Sequence, residues 1–181
     1  SSDFLIDAAL IASEGIGGGN GGLSDTAISY DGSIKLPGPE TMVRARAFSG
    51  NEWSALTEAV FLTDADPADS QNLVISKIHY RPSAPTDTEI EAGHNDRNDF
   101  EYIELMNISN KSIDLRGVIF DKGVDFDFNK GNSLVIESGK RALIIENYDA
   151  FGNRFGNDLP VLGKFANNTN LSNGGERILL L

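Results

Sequence analysis

A segment near the middle of the chain, residues 100–107 (FEYIELMN), has the period-two pattern of a β-strand. One side of the extended backbone collects four alternating residues, Glu101, Ile103, Leu105 and Asn107. A second strand pattern begins at residue 113 and closes with Gly117, which can turn the chain. Two neighbouring strands of this kind, rich in aromatic and branched side chains, predict an all-β protein of the sandwich type.

Composition restricts the classes of partner. Of 181 residues, 40% are hydrophobic, which is enough to fill a core. The 27 acidic residues outnumber the 15 basic ones, and the net charge is −12. This charge opposes binding to nucleic acid or to anionic membrane surfaces, and no apolar run approaches the ~20 residues of a membrane span. We therefore expect neither a nucleic acid partner nor membrane insertion. The chain has no cysteine, which excludes disulfides and thiolate metal sites.

Residues 1–63 predict part of a small β-sandwich, or a hairpin. Residues 41–48 alternate, residues 49–51 favour a turn, and residues 53–63 supply a second strand. The glycine-rich stretch 15–22 is interpreted as a turn or linker, since a phosphate-binding loop needs a strand before it and a helix after it.

Residues 64–71 (DADPADSQ) are acidic, broken by proline and free of large apolar side chains, and they predict a linker. Residues 72–181 then form a second domain dense in strand patterns. Near residues 147–155 the pattern changes. Asn147 can cap a helix, and Tyr148, Phe151 and Phe155 follow at helical spacing, so we expect one short helix there.

The second domain resembles the lamin tail domain, the immunoglobulin-like sandwich of nuclear lamins that also occurs in many bacterial secreted proteins. Five segments carry the resemblance: LVISKIHYRP (73–82), DFEYIELMN (99–107), IDLRGV (113–118), GKRALII (139–145) and LSNGGERI (171–178). In that family the strand begun near Gly175 usually continues into a turn and a further strand, whereas this sequence stops at Leu181. The resemblance thus implies either a longer parent polypeptide or a neighbouring chain that fills the gap, as in a homodimer formed by strand exchange.

A weaker resemblance covers residues 29–63, which are similar to the C-terminal module of chitobiase-type glycosidases and to fibronectin type III modules. It implies a carbohydrate-associated role, in which Tyr30 or Trp53 would stack on a sugar. Packing is the simpler interpretation of Trp53.

Catalysis has little support in the sequence, and we expect no enzyme. There is no cysteine nucleophile, and His79 and His94 are the only histidines. Glu101 and Glu104 lie on opposite faces of one strand, which opposes a glycosidase pair.

Acidic residues in two loops offer oxygen ligands of the kind that Ca²⁺ prefers. The candidates are Asp96, Asp99, Asp121, Asp125 and Asp127. None follows the EF-hand spacing, and solvated turn residues are the competing interpretation.

Together these observations predict a non-catalytic accessory or interaction module of a larger bacterial protein, located outside the cell or on its surface. The alternative is a carbohydrate-associated module of a glycoside hydrolase, so the partner is a protein or a carbohydrate. Recognition is assigned to the polar insertion 83–99, because loops on a rigid scaffold often carry binding. Its candidate residues are Glu89, Glu91, His94, Asn95 and Arg97.

Overall fold

A computed structural model describes residues 5–10, 27–29, 33–36, 38–49 and 52–181. The predicted glycine-rich turn at 15–22 and the candidate sugar-stacking Tyr30 lie outside these residues. The chain divides into two compact units, Ser1–Asp64 and Ala65–Leu181. We describe each unit by itself.

The described part of the first unit is a β-sheet. Its strands are β1 (Leu5–Leu10), β2 (Ala27–Ser29), β3 (Glu40–Ala45), β4 (Ala47–Ser49), β5 (Glu52–Trp53) and β6 (Thr57–Leu62). Strand order is β5-β4-β1-β3-β6, with β2 paired to β1. The predicted hairpin is confirmed, because β3 pairs antiparallel with β6 and β4 with β5. Arg46 lies over the Trp53 ring at 5.9 Å, as expected of a packed rather than a free tryptophan.

The second unit contains ten strands among the described residues, with two α-helices and two 3₁₀ turns. In chain order these are β7 (Ala65–Pro67), β8 (Leu73–His79), α1 (Asp87–Glu91), the 3₁₀ turn Arg97–Phe100, β9 (Tyr102–Asn107), β10 (Ser112–Asp114), β11 (Ile119–Lys122), β12 (Phe126–Asp127), the 3₁₀ turn Phe128–Lys130, β13 (Val135–Ile136), β14 (Arg141–Ile145), α2 (Tyr148–Phe155), β15 (Val161–Lys164) and β16 (Leu179–Leu180). Three sheets result, ordered β15-β14-β9-β8, β13-β10-β7 and β12-β11-β16.

The division after Asp64 falls within the predicted boundary segment 64–71, but the start of the second unit corrects the prediction that this segment is a linker. Residues 64–71 were expected to be a linker, yet Ala65–Pro67 forms β7 and pairs in parallel with β10. Asp69 then closes a turn by accepting from the amides of Gln71 and Asn72. Acidic and proline-containing sequence is compatible with a short edge strand, where proline loses no ladder bond that the sheet needs.

The main core lies between the four-stranded sheet and the two three-stranded sheets, as in a sandwich. The predicted alternation of β9 is confirmed, because Glu101, Ile103, Leu105 and Asn107 all have 0% exposure. Ile103 and Leu105 pack with apolar residues from both smaller sheets, among them Ile113 and Phe120. The Asn107 amide donates to the carbonyls of Lys111 and Ile136, which ties β9 to its neighbours and offsets the cost of burying the amide.

Helix α2 covers the opposite face of the four-stranded sheet. Asn147 caps it as predicted, accepting from the amides of Asp149 and Ala150. Phe151 and Phe155 pack on Tyr102, Leu143 and Ile145. The sheet is therefore buried on both faces, which explains the continuous apolar run of β14. Neither α-helix of the described residues is long and apolar enough to cross a membrane.

Candidate functional site

An open seam runs between β8 and β16, each of which is an edge strand of its own sheet. We use "the seam" for the two cavities that lie along these edges. The first, of about 360 Å³, is lined by Ala68, Asp69, Ser70, Leu73, Val74, Ile75, Val118, Leu180 and Leu181. The second, of about 430 Å³, is lined by Ile78, Tyr80, Leu171, Ser172, Asn173, Gly174, Gly175, Glu176 and Ile178.

The order of these lining residues gives the direction of the two edges. The start of β8 shares a cavity with the end of β16, and the end of β8 shares the other cavity with residues that precede β16. The two strands therefore run in opposite directions along the seam. Terminal strands carry backbone N–H and C=O groups that a further strand can pair with. The seam consequently offers polypeptide backbone on both sides and apolar side chains at its base.

Several apolar side chains of the seam are exposed to solvent. Ile78 is 43% exposed, Tyr80 55% and Leu181 60%. The only charged side chains in the two linings are Asp69 and Glu176, one in each cavity. Each cavity thus contains one acidic side chain; the first is lined mainly by apolar residues, and the second by apolar residues together with the polar Ser172 and Asn173.

Glu101, buried beneath one end of the seam, holds the two walls together there by hydrogen bonds. Its carboxylate, with 0% exposure, accepts from the Arg81 amide at 3.3 Å and from the Leu171 amide at 2.8 Å. Arg81 has a φ of 46°, an uncommon value for a residue with a side chain, and directly follows the lining residue Tyr80. One buried carboxylate therefore positions both walls of the seam at this end.

Among the described residues, no cation lies beside Glu101 to compensate its charge. Burial raises its pKa, opposed by the hydrogen bonds from Leu171 and Arg81 and reinforced by the nearby charges of Glu146 and Asp96. Burial likewise raises the pKa of Glu146, reinforced chiefly by Asp99. The raised pKa values of these two glutamates could not be predicted from the sequence, because an alternating strand indicates which side Glu101 faces but not which residues lie opposite it.

The insertion that follows β8 is attached to α2 by a buried ion pair. Arg154 donates from Nε to Glu89 Oε1 and from Nη2 to Glu89 Oε2, both at 2.7 Å. Glu89 also completes a capping box with Thr86 at the start of α1. The Arg154 guanidinium lies 3.4 Å above the centre of the Phe100 ring. These contacts lower the pKa of Glu89 to about 2, with the hydrogen bond from Arg154 the largest cause.

A polar cleft of about 370 Å³ lies beside this ion pair. We define the polar cleft by its lining residues, Ala92, His94, Tyr148, Asp149, Gly152, Asn153 and Asn157. His94 forms a buried part of its wall, where the Asn153 amide and the His94 Nε2 lie 2.9 Å apart. The His94 ring also meets the Phe100 ring edge-on at 6.1 Å. The cleft is therefore built jointly by the insertion and by α2.

These positions revise the predicted recognition residues. Glu89 and His94 are buried, 8% and 9% exposed, and their side chains bond to α2. Both side chains therefore hold the insertion to α2 and are not free to contact a partner. This corrects the predicted recognition role of Glu89 and His94. Glu91 and Asn95 are exposed and Arg97 is half-buried. For these three, the assignment to recognition stays a prediction.

The five predicted calcium ligands are not gathered at one point. Within residues 5–10, 27–29, 33–36, 38–49 and 52–181, no three histidine or acidic side chains are placed to hold a metal ion. Asp96 and Asp127 cap the two 3₁₀ turns, and Asp125 accepts from the Asn167 amide. Asp121 lies 3.9 Å from Lys122, and Asp99 adds negative charge near Glu146. The calcium prediction remains untested.

Of the residues that organise these sites, Glu89 was predicted only as a recognition residue, and Thr86 and Arg154 were not predicted. Thr86 and Glu89 match the spacing of a capping box, a local signal that could have located α1. Arg154 has no comparable local signal, because its partner lies 65 positions earlier in the chain. Tyr148 was expected on the apolar face of the helix, yet it is 45% exposed and lines the polar cleft.

Comparison with known proteins gave one match. The protein-family model described as the Lamin Tail Domain matches residues 66–181. Neither the curated proteins nor the solved structures contained a match to this chain. The weaker resemblance of residues 29–63 has no support from these comparisons. The matched residues cover the whole sandwich with its seam, its insertion and α2, and on this ground the chain belongs to the lamin tail domain family, with an immunoglobulin-like all-β fold.

Proposed function

We propose that this chain is a non-catalytic interaction module of a larger exported or cell-surface bacterial protein, and that it binds an extended polypeptide segment in the seam. The observation that carries the proposal is that two edge strands of different sheets, β8 and β16 with the residues before it, border the same two cavities and line them with apolar side chains. An added strand could form backbone hydrogen bonds with either edge while its side chains fill the two cavities. This is the physical basis of recognition by β-strand addition.

The chemistry of the lining specifies the occupant. Alternate residues of an extended segment point to the same side, so every second residue should be apolar to meet Leu73, Ile75 and Ile178. Asp69 and Glu176 at the two ends favour lysine or arginine near the ends of the segment. A second copy of this acidic chain fits less well, since the net charge of −12 on each copy adds repulsion.

The family membership supports a non-catalytic role at a coarser level, since this family is an immunoglobulin-like module without an enzymatic site of its own. The exported or cell-surface setting rests on analogy with bacterial secreted proteins that carry such domains. The carbohydrate-associated alternative rests on the weaker resemblance of residues 29–63, which the comparisons do not support.

Selection from a random peptide library displayed on phage tests the seam. The bait is the whole chain, and the comparison bait is the double variant Ile78→Lys with Leu181→Lys. Both positions are exposed seam residues, so the variant should fold while its added charges and bulk block a basic segment. A matched control places the same substitutions at Ile90 and Ile108, which are 45% and 52% exposed and lie outside the two seam linings.

We expect recovered peptides to alternate apolar residues and to carry basic ends. Their affinity should fall at least tenfold on the seam variant and stay unchanged on the control variant. Equal affinity for both variants, or no enriched sequence pattern, would overturn the proposal. Light scattering tests a second copy of this chain as the occupant of the seam. A dimer that disappears in the seam variant would show strand exchange between copies and replace the heterologous segment as the occupant.

The location has a separate test. An antibody against this chain should label intact cells of the source bacterium, and protease added to those cells should remove the signal. Labelling that requires lysis would contradict the exported setting and leave the seam proposal standing.

A further inference from the structure

We propose that Asn173, in the wall of the second cavity of the seam, is a site of spontaneous deamidation. The residue after it is Gly174, and both residues line this cavity. The sequence contains one other Asn-Gly pair, Asn20–Gly21, which lies outside the described residues. Deamidation replaces a neutral amide by a carboxyl group that is ionised at neutral pH. The reaction therefore places a new negative charge in the seam.

The reaction joins two atoms of adjacent residues. The backbone nitrogen of Gly174 attacks Cγ of Asn173 and closes a five-membered succinimide ring, while its proton passes to solvent. The Cγ–Nδ2 bond breaks and the nitrogen leaves as ammonia. Water then opens the ring, at Cγ to give aspartate or at the main-chain carbonyl to give isoaspartate, whose backbone runs through Cγ. One water is consumed for each ammonia released, and no oxidant or reductant takes part.

The turn that holds this pair leaves both reacting groups accessible. Asn173 and Gly174 are exposed and form the centre of a turn, which the Gly175 amide closes by donating to the Ser172 carbonyl at 3.3 Å. The Gly174 amide donates to the Ser172 hydroxyl at 3.2 Å and not to a strand of a sheet. The Asn173 side-chain amide lies 3.5 Å from Asn98 Oδ1, at the limit of a hydrogen bond. Neither group is therefore held by a short bond that must break before the attack.

The fold does not require glycine at position 174. The φ of Gly174 lies outside the left-handed region, and a Cβ atom there would meet Ser172 Oγ at 3.7 Å, an ordinary contact. Gly175, in contrast, has a φ of 88°, a value that favours glycine. Gly174→Ala should therefore keep the turn, while its methyl group hinders the approach of the nitrogen to Cγ. This variant tests the chemistry separately from folding.

The same tryptic peptide, residues 165–177, provides an internal comparison. It contains three further exposed asparagines, each followed by a residue with a side chain: Asn167, Asn168 and Asn170. Since all of them are accessible to water, faster conversion of Asn173 would reflect the glycine after it and the turn around it.

Conversion changes the charge that the seam presents to a partner. Glu176 is the only acidic side chain in the lining of the second cavity, and it accepts from the Ser172 amide at the base of the same turn. A carboxylate at position 173 doubles the negative charge of this lining. The consequence for binding rests on the proposed function: the converted chain should bind a segment with a basic residue at this end more tightly, through an attraction that salt weakens.

The test is mass spectrometry of tryptic peptides after the whole chain is incubated for days in neutral and in mildly alkaline buffer, with an isoaspartyl methyltransferase assay for the isoaspartate product. We expect Asn173 to convert faster than the other asparagines of its peptide, and faster at the higher pH because the attacking amide must lose its proton. Gly174→Ala should slow conversion about tenfold or more at an unchanged urea midpoint. Asn173→Gln should abolish it, because the longer side chain requires a six-membered ring. Conversion of Asn173 no faster than that of Asn170, or an unchanged rate in Gly174→Ala, would overturn the inference.

The effect on the seam has its own measurement. Asn173→Asp should bind the basic peptides recovered in the selection about threefold more tightly at low salt, as expected of one exposed charge. Asn110→Asp adds the same charge outside the two seam linings and should leave the affinity unchanged. Equal affinities of the two variants would overturn the effect on binding. If the selection recovers no peptide, the proposed function fails and with it this effect, whereas the mass measurement still decides whether Asn173 is modified.

Discussion

Two buried glutamates, Glu89 beside α2 and Glu101 beside the seam, lie in opposite electrostatic environments. Beside α2, Glu89 is met by a guanidinium with two hydrogen bonds, and its pKa falls to about 2. Beside the seam, Glu101 accepts hydrogen bonds from two backbone amides, no cation of the described part of the chain contacts it, and burial raises its pKa. The helix side is closed by charge pairing and aromatic packing, whereas the seam side is held together by a carboxylate whose charged form is disfavoured by burial.

This difference separates stability from binding. Phe151, Phe155 and Tyr102 pack together under α2, and the cavity of about 190 Å³ that remains beside them is smaller than either cavity of the seam. At the seam, by contrast, apolar side chains such as Ile78 and Tyr80 remain exposed. Substitutions on the helix side should therefore act mainly on folding, and those in the seam mainly on binding.

The largest expected effect is that of Phe151→Ala under α2. Phe151 is 3% exposed and contacts both Tyr102 and Phe155. Removing such a ring leaves a cavity and should cost about 3–5 kcal/mol of the free energy of unfolding. Urea denaturation measures it, and Tyr80→Ala in the seam, at 55% exposure, should cost no more than about 0.5 kcal/mol. Similar losses in the two variants would remove the contrast between the regions.

The next effect concerns the ion pair itself. In Arg154→Met the aliphatic volume is kept and the guanidinium is lost, so Glu89 has no cation partner. The pKa of Glu89 should then rise from about 2 toward or above its ordinary value of 4.5, as followed by NMR titration. Lys164→Met, which removes a cation elsewhere on the surface, is the control and should leave this pKa unchanged. A Glu89 pKa still near 2 in Arg154→Met would show that the Thr86 hydrogen bonds suffice.

The two glutamates predict opposite responses to acid. Glu89 has a lowered pKa, so its stabilising contribution is present above 4.5 and is lost as pH falls toward about 2. Glu101 has a raised pKa, so the folded chain binds more protons than the unfolded chain above 4.5. Its contribution is fully present below 4.5 and is lost as pH rises through the raised value. Free energies of unfolding measured by urea across this range should therefore include a component that declines with rising pH.

Glu101→Gln sharpens that prediction. The neutral side chain should flatten the decline above pH 4.5 but not abolish it, because Glu146 also has a raised pKa and acts with the same sign. Near pH 4.5 the variant should be less stable by about 1–3 kcal/mol, since one of the two amides loses its acceptor. Glu89→Gln, as the matched variant, should change only the acid limb. An unchanged slope in Glu101→Gln would show that this carboxylate does not titrate in the assigned direction.

The smallest expected effect is at an exposed pair on the α2 side of the sheet. Arg141 contacts Glu104 at 3.1 Å, with the Arg141 side chain 55% exposed. Arg141→Ala should cost about 0–1 kcal/mol, because solvent screens such pairs. The urea midpoint and its sensitivity to salt measure this contribution. A loss as large as that of Phe151→Ala would mean that surface charge, rather than aromatic packing, closes this side.

Local patterns predicted the elements well. The alternation of β9 placed four residues on one face, and all four are fully buried. Asn147 was expected to cap a short helix and does so at Tyr148–Phe155. Both predictions succeed because strand period and helix capping depend on neighbouring residues alone. The linker prediction was corrected for the opposite reason, since β7 owes its strand conformation to pairing with β10, far along the chain.

The sequence by itself determined the fold class, the strand faces, the capped helix and a charge that opposes nucleic acid, all of which follow from period, local capping and composition. Only the tertiary structure decided which charges meet. It paired Glu89 with Arg154, left Glu101 with amides alone, turned Tyr148 outward into the polar cleft and set β8 against β16 across an open seam. These outcomes depend on which distant surfaces the packed core brings together, and no local pattern encodes that choice.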